Sequence, residues 1–254
     1  MIDLDKTKSI IRNNKFSILM PVCNEEDVIE DVIEEWYKDV ISINEKSFEL
    51  VLEDGASKDS TLKILSKLEK KYSFLRVIKK NKRDGFGNAA KRLFSYAKND
   101  FVFFTDSDGQ YLPKDFHKIV YFLNQDFDII RGAKIGRKDN LLRRIFSALF
   151  NKFIQFIFNV HYLDFNSAFF LIRKKPLQFV LPNVKLMPTL VVTELLLRSE
   201  LENFSIKQVY VNHRNRKHGV SRGLPPFKFI FEGIIAIRKL FLIKESYRIR
   251  DDNS

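Results

Sequence analysis

Short apolar runs and longer amphipathic stretches follow one another through the first half of the chain. Runs rich in Phe, Ile, Leu and Val predict strands, and stretches with apolar residues at helical spacing predict helices between them. The predicted strands are residues 16–20, 48–52, 75–78 and 101–105, and the predicted helices are residues 25–40, 62–71 and 87–97. Such alternation indicates an α/β fold with a mostly parallel central sheet and helices on both faces.

The apolar segment 227–243 is interrupted by Lys228, Glu232, Arg238 and Lys239. A membrane-spanning helix needs about 20 predominantly apolar residues, so this pattern predicts an amphipathic helix instead. Such a helix either lies in a membrane interface or packs on its own domain or on a partner subunit. With a short tail, it forms a predicted C-terminal segment of residues 223–254.

Composition narrows the class of protein. A chain of 254 residues can form one large domain or one domain with an appendage. Its 44 Lys and Arg against 32 Asp and Glu give a net charge of +12, which favours phosphates, nucleic acid or a membrane surface as partners. The single cysteine, Cys23, excludes an intrachain disulfide framework, and the first fifteen residues contain no continuous apolar run. We therefore expect no secretory signal and a location on the cytoplasmic side of any membrane.

Two aspartates, Asp106 and Asp108, directly follow the fourth predicted strand and are themselves followed by Gly109 and Gln110. Mg²⁺ and Mn²⁺ take oxygen ligands and are commonly held by one or two carboxylates plus substrate phosphates. The sequence therefore predicts a metal-diphosphate site at Asp106 and Asp108, with Gln110 as a third ligand. A polar turn has the same residue types and is the alternative.

Asn24 and Asp54 follow the first two predicted strands. Ligands of parallel α/β sheets bind beyond the carboxyl ends of the strands, so these residues are expected near the aspartate pair. Asp54 is suited to accept hydrogen bonds from a base or a ribose. Together these residues predict a nucleotide-diphosphate site, although Asp54 and Gly55 would also suit a tight turn.

Gly85 and Gly87 superficially match the dinucleotide fingerprint G-x-G-x-x-A, but they follow the third strand, whereas that fingerprint follows the first. Lys82 and Arg83 come just before them. We interpret the segment as a glycine turn that lets backbone or these basic side chains approach phosphates. A simple loop is the alternative.

These motifs together resemble family 2 glycosyltransferases of the GT-A fold. The resemblance extends over about residues 16–222 and rests on segments 17–26, 54–61, 85–89, 106–110, 128–139, 143–151, 164–169 and 213–221, and on Glu194. It implies a GT-A (Rossmann-like) domain of residues 1–222, with a nucleotide-sugar-binding half at 1–112 and an acceptor-binding half at 113–222. It also implies Mg²⁺ or Mn²⁺ and a UDP- or GDP-sugar donor.

The second half of the chain is similar to the polyprenyl-phosphate branch of that family. This similarity implies a dolichyl or undecaprenyl phosphate acceptor and a peripheral position at the inner face of the membrane, through a surface or a membrane-protein partner. A homo-oligomer is left open. The implied donor site comprises Pro21, Asn24, Glu25, Asp54, Lys82, Gly85 and Asp106. The implied acceptor-phosphate site comprises Arg137, Arg144, Ser147, Arg216 and Ser221, and the implied catalytic residues are Asp106, Asp108, Arg144 and Glu194.

Basic residues accumulate in this second half. Seven stand against one acid in residues 131–152, and residues 203–231 contain no acid. Arg guanidinium groups bind phosphate bidentately, so the excess suits a phosphate acceptor, while a solvated basic face is the alternative. On a helix Arg143 and Ser147 would share a face, whereas the resemblance selects Arg144 and Ser147.

Four positions depart from the family pattern without touching the metal motif. Glu53 and Ala56 stand where Asp and Ser are common, Arg131 replaces a small residue, and Ala168 replaces a Gly.

The predicted reaction is a direct inverting displacement, and the acceptor decides whether it needs a base. A phosphate monoester is already an anion, whereas a saccharide hydroxyl needs a carboxylate to remove its proton. Glu194 is the candidate base for a hydroxyl, and a pair with Arg198 is its alternative role. A third hypothesis, a basic nucleic-acid-binding protein, is disfavoured by the acids at the strand ends, and we expect no nucleic-acid partner.

Overall fold

A computed structural model describes residues 2–135, 141–216 and 226–251, with side chains outside 141–144, 226–233 and 249–251. Seven strands form one sheet. They are β1 (Phe16–Val22), β2 (Phe48–Asp54), β3 (Leu75–Lys79), β4 (Phe101–Thr105), β5 (Ile129–Ile135), β6 (Phe169–Arg173) and β7 (Ile206–Asn212).

Helices connect and flank these strands. They are α1 (Leu4–Asn13), α2 (Ile29–Asp39), α3 (Thr61–Lys71), α4 (Phe86–Tyr96), α5 (Phe116–Val120), α6 (Leu141–Phe158), α7 (Lys174–Val180), α8 (Val191–Leu201) and α9 (Pro226–Asp251).

The strand order is β3-β2-β1-β4-β6-β5-β7. All neighbouring strands are parallel except that β6 runs antiparallel to both β4 and β5. The chain proceeds from β1 outward to β3 and then returns to place β4 on the other side of β1. The carboxyl ends of β1 and β4 therefore flank a topological switch point, which is where open α/β sheets bind ligands.

Neighbouring residues of β4 show how the sheet is covered on both faces. The Phe103 ring packs against Trp36 of α2 and Phe116 of α5, whereas the Phe104 ring packs against Phe94 of α4. Successive strand residues point to opposite faces, so helices lie on both sides of the sheet. The predicted α/β class and mostly parallel sheet are confirmed.

A second, smaller hydrophobic cluster lies where α6, α8 and α9 meet. Ile154 of α6, Leu197 of α8, and Leu240 and Ile243 of α9 are buried in it. The predicted C-terminal helix therefore packs on the rest of the chain through one face. The boundaries proposed for the nucleotide-sugar half, the acceptor half and the C-terminal segment stay predictions.

The outward sides of α6 and α9 are apolar as well. Ile145, Leu149 and Phe156 of α6 are exposed, and Phe156 is 87% exposed. On α9 Phe241 is exposed, and its ring contacts Phe153 of α6, so the exposed residues of the two helices adjoin. Over the described residues, none of the helices combines the length and the apolar character needed to cross a bilayer.

Candidate active site

Asp106 and Asp108 lie at the carboxyl end of β4, beside the switch point. One oxygen of Asp108, Oδ1, accepts the backbone N–H of Gln110 at 3.0 Å, and the other, Oδ2, lies 3.0 Å from Nη2 of Arg216. Gly109, which lies between Asp108 and Gln110, has φ = 71°, and a Cβ added to it would lie 3.2 Å from the Val32 side chain. The tight turn therefore requires glycine and directs both aspartates to the sheet edge.

The charge at this edge favours a cation. Burial raises the pKa of the Asp106 carboxyl above its ordinary value, and repulsion from Asp108 raises it further, while Lys134 and Arg216 lower it. Two neighbouring carboxylates with little water around them are stabilised by a bound positive charge. The two carboxylates therefore fit a divalent cation, and in this structure the guanidinium of Arg216 supplies a positive charge to Asp108.

A metal would need ligands besides these two carboxylates. In residues 2–135, 141–216 and 226–251, no three His, Cys, Asp or Glu side chains gather closely enough to hold a metal ion by themselves. Mg²⁺ and Mn²⁺ sites of one or two carboxylates are commonly completed by substrate phosphates. The predicted third ligand, Gln110, uses its side-chain nitrogen to donate to the Arg214 carbonyl at 3.2 Å, and its role at a metal stays a prediction.

The segment after β7 is hydrogen-bonded to residues 106–110, here called the aspartate loop. The Arg214 backbone N–H donates to the Gln110 carbonyl at 2.9 Å, and Arg214 Nε donates to the Gly109 carbonyl at 2.5 Å. The same guanidinium pairs with Glu35 of α2 at 2.5 Å. His213 forms a backbone bridge to Tyr111 and an edge-on ring contact with it. Residues 213–216 and the aspartate loop therefore form one structural unit.

Hydrogen bonds also join the loops after β1 and β2. The Asn24 backbone N–H donates to Ser57 Oγ at 2.8 Å, and its side-chain oxygen accepts the Lys58 backbone N–H at 2.5 Å. The Glu25 backbone N–H donates to Thr61 Oγ1 at 2.8 Å. These bonds hold the predicted donor residues of the two strand ends together, next to the half-buried Pro21 and the buried Val22 at the end of β1.

Asp54, the last residue of β2, is fully buried. Its Oδ2 accepts the Ser57 backbone N–H at 3.2 Å, but its Oδ1 has no hydrogen-bond partner among the described residues. A buried carboxylate oxygen without a donor is costly, so Oδ1 is suited to accept a ligand N–H or O–H. This geometry agrees with the predicted donor-binding role of Asp54, which stays a prediction.

The two glycines near the start of α4 have different structural roles. Gly85 has φ = 93° and open space where a side chain would go, whereas a Cβ on Gly87 would lie 2.0 Å from the Pro188 carbonyl oxygen. Gly87 thus permits close packing of α4 on the segment before α8. Lys82, predicted with Gly85 to bind the donor, lies exposed in the preceding loop.

Glu194 is buried within α8 and does not fit the predicted role of a catalytic base. Its two oxygens accept the backbone N–H groups of Lys185, Leu186 and Met187 and the Nε–H of Arg198, at 2.6–3.0 Å. A base needs an oxygen that faces the acceptor, whereas these oxygens are occupied by four donors. The structure shows the alternative role, the pair with Arg198, while the base role stays a prediction that these four contacts disfavour.

The predicted acceptor residues are described to different extents. Arg137 and Ser221 lie outside the described residues, and Arg144 lies in α6 at a position where the side chain is not described. Ser147 is half-buried on the same helix. Arg216, predicted to bind the acceptor phosphate, instead contacts the carboxylates of Asp108 and Glu25 in this structure.

Two basic residues of β5 near the site were not predicted from the sequence. Lys134 of β5 lies 3.5 Å from Asp164 and exerts its charge on Asp106. Arg131, on the same strand, is fully buried against the rings of Tyr162 and Phe165, without a hydrogen-bond partner among the described residues. Burial lowers the pKa of Arg131 to about 10. The acid-poor composition of residues 131–152 was the available signal for these two, but it did not separate them from the other basic residues.

The fold and the strand-end carboxylates define a GT-A-like α/β protein. Residues 17–181 match glycosyl transferase family 2, and the chain belongs to that family. The predicted family and enzyme class, a glycosyltransferase, are therefore confirmed.

Two curated relatives with similar sequences carry names from one branch of the family. The chain is 24% identical over 141 residues to the undecaprenyl-phosphate 4-deoxy-4-formamido-L-arabinose transferase of Klebsiella pneumoniae, a match that covers 56% of this chain and 43% of the relative. It is 26% identical over 229 residues to the dolichyl-phosphate beta-glucosyltransferase of Dictyostelium discoideum, with coverages of 82% and 69%. The matched region is thus less than half the length of the Klebsiella relative. Both relatives are named for transfer involving a polyprenyl phosphate.

Solved structures show the same fold. Glucosyl-3-phosphoglycerate synthase of Mycobacterium tuberculosis, in complex with Mn²⁺, UDP and glucosyl-3-phosphoglycerate, superposes with a TM-score of 0.68 at 21% identity, covering 94% of this chain and 82% of that one. A mannosyltransferase of Pyrobaculum calidifontis in complex with GDP-Man and Mn²⁺ gives a TM-score of 0.60 at 14% identity, with coverages of 81% and 58%. At these identities the likeness establishes the fold.

Proposed function

We propose that the chain is a metal-dependent inverting glycosyltransferase that moves a sugar from a UDP- or GDP-sugar to a polyprenyl phosphate at the cytoplasmic face of a membrane. The observation that carries this proposal is the pair Asp106 and Asp108 at the switch point of a family 2 fold. The names of the undecaprenyl-phosphate and dolichyl-phosphate relatives support the acceptor class.

The donor is proposed to lie across the ends of β1, β2 and β4. Asp54 Oδ1, buried and without a described partner, would accept a hydrogen bond from the base or ribose. The loops after β1 and β2, which hydrogen bonds join at Asn24 and Glu25, would contact the nucleotide. The diphosphate would then approach Asp106 and Asp108, which would hold Mg²⁺ or Mn²⁺, and the ion would neutralise the charge of the departing diphosphate.

The state of Glu194 supports a phosphate acceptor over a saccharide hydroxyl. A phosphate monoester oxygen attacks the anomeric carbon as an anion, so the protein needs only to position it. A hydroxyl needs a base, and Glu194, the residue considered for that role, has both oxygens engaged by four donors. Lys134 and Arg216 interact electrostatically with Asp106. Their positive charges would reduce the repulsion between an acceptor phosphate and the diphosphate.

The exposed apolar faces of α6 and α9 are proposed to meet the membrane. Ile145, Leu149 and Phe156 recur at one side of α6, with Lys152 between them. A helix with apolar and basic residues on its outward face is suited to lie in the headgroup region of an anionic bilayer. A membrane-protein partner would use the same surface.

Asp108→Asn tests the proposed reaction. We expect Mn²⁺-dependent transfer from a UDP- or GDP-sugar to undecaprenyl phosphate to fall by roughly 100-fold or more, because a carboxylate ligand at the departing diphosphate is lost. Asp126→Asn is the matched control, since Asp126 is exposed, lies outside the site and has a φ of 58° that Asn tolerates. A wild-type rate in Asp108→Asn would contradict the proposal, and so would a comparable loss in the control.

A further inference from the structure

Arg216 bridges two carboxylates that belong to different strand ends. Its Nη2 lies 3.0 Å from Asp108 Oδ2, after β4, and its Nη1 lies 3.5 Å from Glu25 Oε1, after β1. The side chain of Arg216 is 18% exposed, and those of Asp108 and Glu25 are 16% and 11% exposed. The guanidinium therefore lies inside the site, at the switch point itself.

Both oxygens of Asp108 have donors in this arrangement. Oδ1 accepts the backbone N–H of Gln110, and Oδ2 faces the guanidinium. A divalent cation on Asp108 would compete with Arg216 for Oδ2, or would be held within a few ångströms of a second positive charge. In a half-buried site the two cations repel each other strongly, because screening by water is reduced.

We propose that Arg216 is a built-in counter-ion of the metal site, which a divalent cation must displace from Asp108 in order to bind. This inference rests on the proposed metal site and adds a competition within it. In the cation-free state Arg216 neutralises Asp108 and Glu25 and holds the ends of β1 and β4 together. When the cation binds, the guanidinium leaves Asp108 and becomes available to the phosphate groups that arrive there.

The neighbouring Arg214 shows why movement of Arg216 need not disrupt the site. Arg214 holds the same segment to Glu35 and to the Gly109 and Gln110 carbonyls. These contacts leave Asp106 and Asp108 untouched, so the segment stays attached while the Arg216 side chain changes partner. The competition is therefore local to one side chain.

Mn²⁺ binding without nucleotide tests the competition, measured from the free Mn²⁺ signal in electron paramagnetic resonance titrations. We expect Arg216→Gln to bind Mn²⁺ about threefold to tenfold more tightly than the wild type, since the competing charge is gone. Arg216→Lys, which keeps the charge but not the two-armed geometry, should lie between them. A residue that only held the loop in place would give the opposite sign, with looser Mn²⁺ binding and a lower unfolding temperature.

Lys67→Gln is the charge-matched control, because Lys67 pairs with Glu30 on the exposed side of α3 and its loss should leave Mn²⁺ binding unchanged. Arg216→Gln binding no more tightly than the wild type, including the case in which neither binds Mn²⁺, overturns the counter-ion proposal. Asp108→Asn separates this failure from that of the metal site. If Asp108→Asn retains Mn²⁺ binding, the metal site itself is wrong, whereas its loss without a gain in Arg216→Gln refutes the counter-ion alone.

Discussion

At the scale of single residues, Glu194 organises the segment that precedes α8. Its carboxylate gathers three consecutive backbone N–H groups, of residues 185–187, and the Arg198 side chain. These hydrogen bonds are buried or partly buried, so loss of the carboxylate removes the acceptor that all four donors share. A buried charged group with this many bonds contributes to stability mainly because its removal leaves unsatisfied donors behind.

Glu194→Gln should therefore destabilise the fold without changing the chemistry. The amide keeps the shape, but one of the two oxygens, each of which accepts from two donors, becomes an NH₂ group, and the negative charge that faces Arg198 is lost. We expect the free energy of unfolding to fall by about 3 kcal/mol. Denaturant unfolding measures this loss, and the transfer rate per folded molecule should stay near that of the wild type.

Ser66→Ala serves as a reference for a lost side-chain hydrogen bond, because Ser66 Oγ donates only to the Leu62 carbonyl within α3. Its cost should be small by comparison. A Glu194→Gln protein with normal stability and a rate reduced by orders of magnitude would restore the base hypothesis and with it a hydroxyl acceptor.

The roles of some residues could not be predicted from the sequence, because those residues pair with others that are far away along the chain. Glu53, a departure from the family pattern, is fully buried and accepts from both Nε and Nη2 of Arg92, which also pairs with Asp84. Arg214 meets Glu35 across 179 positions. Charge patterns predict pairs three or four residues apart on one helix, whereas these pairs depend on which strand ends the fold brings together.

At the scale of elements, two nearby glycines at the N-terminus of α4 have different structural roles. Gly85 begins the helix with a positive φ, and Gly87 lets the helix backbone approach Pro188 more closely than any side chain allows. The dinucleotide pattern G-x-G-x-x-A in the sequence reflects these two local requirements.

The pair of substitutions Gly85→Ala and Gly87→Ala separates them. Gly85→Ala should cost about 1 kcal/mol, because only backbone strain is added in open space. Gly87→Ala should cost more than about 3 kcal/mol, because a Cβ 2.0 Å from a carbonyl oxygen forces α4 away from the Pro188 segment. Equal losses in chemical denaturation would show that the helix tolerates displacement and that Gly87 has no packing role.

The first four strands were predicted with ends that differ by at most two residues from those observed, because each is an apolar run bounded by turn residues. Helix α2 begins at Ile29 rather than at residue 25, because its N-cap Val28 has a non-helical φ of −133°, and the residues before it form a turn in which the Val28 backbone N–H donates to the Glu25 carbonyl. The antiparallel insertion of β6 between β4 and β5 was not predicted. An apolar run reports burial, whereas strand direction depends on the path of the connections.

At the scale of the whole molecule, exposed apolar residues are concentrated on two helices, α6 and α9. Among the described residues, seven of the thirteen large apolar side chains that are exposed lie on α6 or α9. They are Ile145, Phe146, Leu149, Phe156, Ile234, Phe241 and Leu242. Deleting α9 would not test their role cleanly, because Leu240, Ile243 and Tyr247 on its other side are buried in the second hydrophobic cluster. Substitutions at exposed positions leave that cluster intact.

Phe156→Ser is the sharpest such change, because that ring is 87% exposed and its loss should leave the fold unaffected. Burying a Phe side chain contributes about 1.5–3 kcal/mol, so we expect binding to vesicles of anionic phospholipid to weaken by about tenfold or more. Sedimentation with vesicles measures the partition. Leu4→Ser is the control, since Leu4 is an exposed apolar residue of α1 and lies on neither helix. Unchanged partition of Phe156→Ser, or an equal loss in Leu4→Ser, would show that α6 does not enter the bilayer, and the apolar surface would then be assigned to a protein partner.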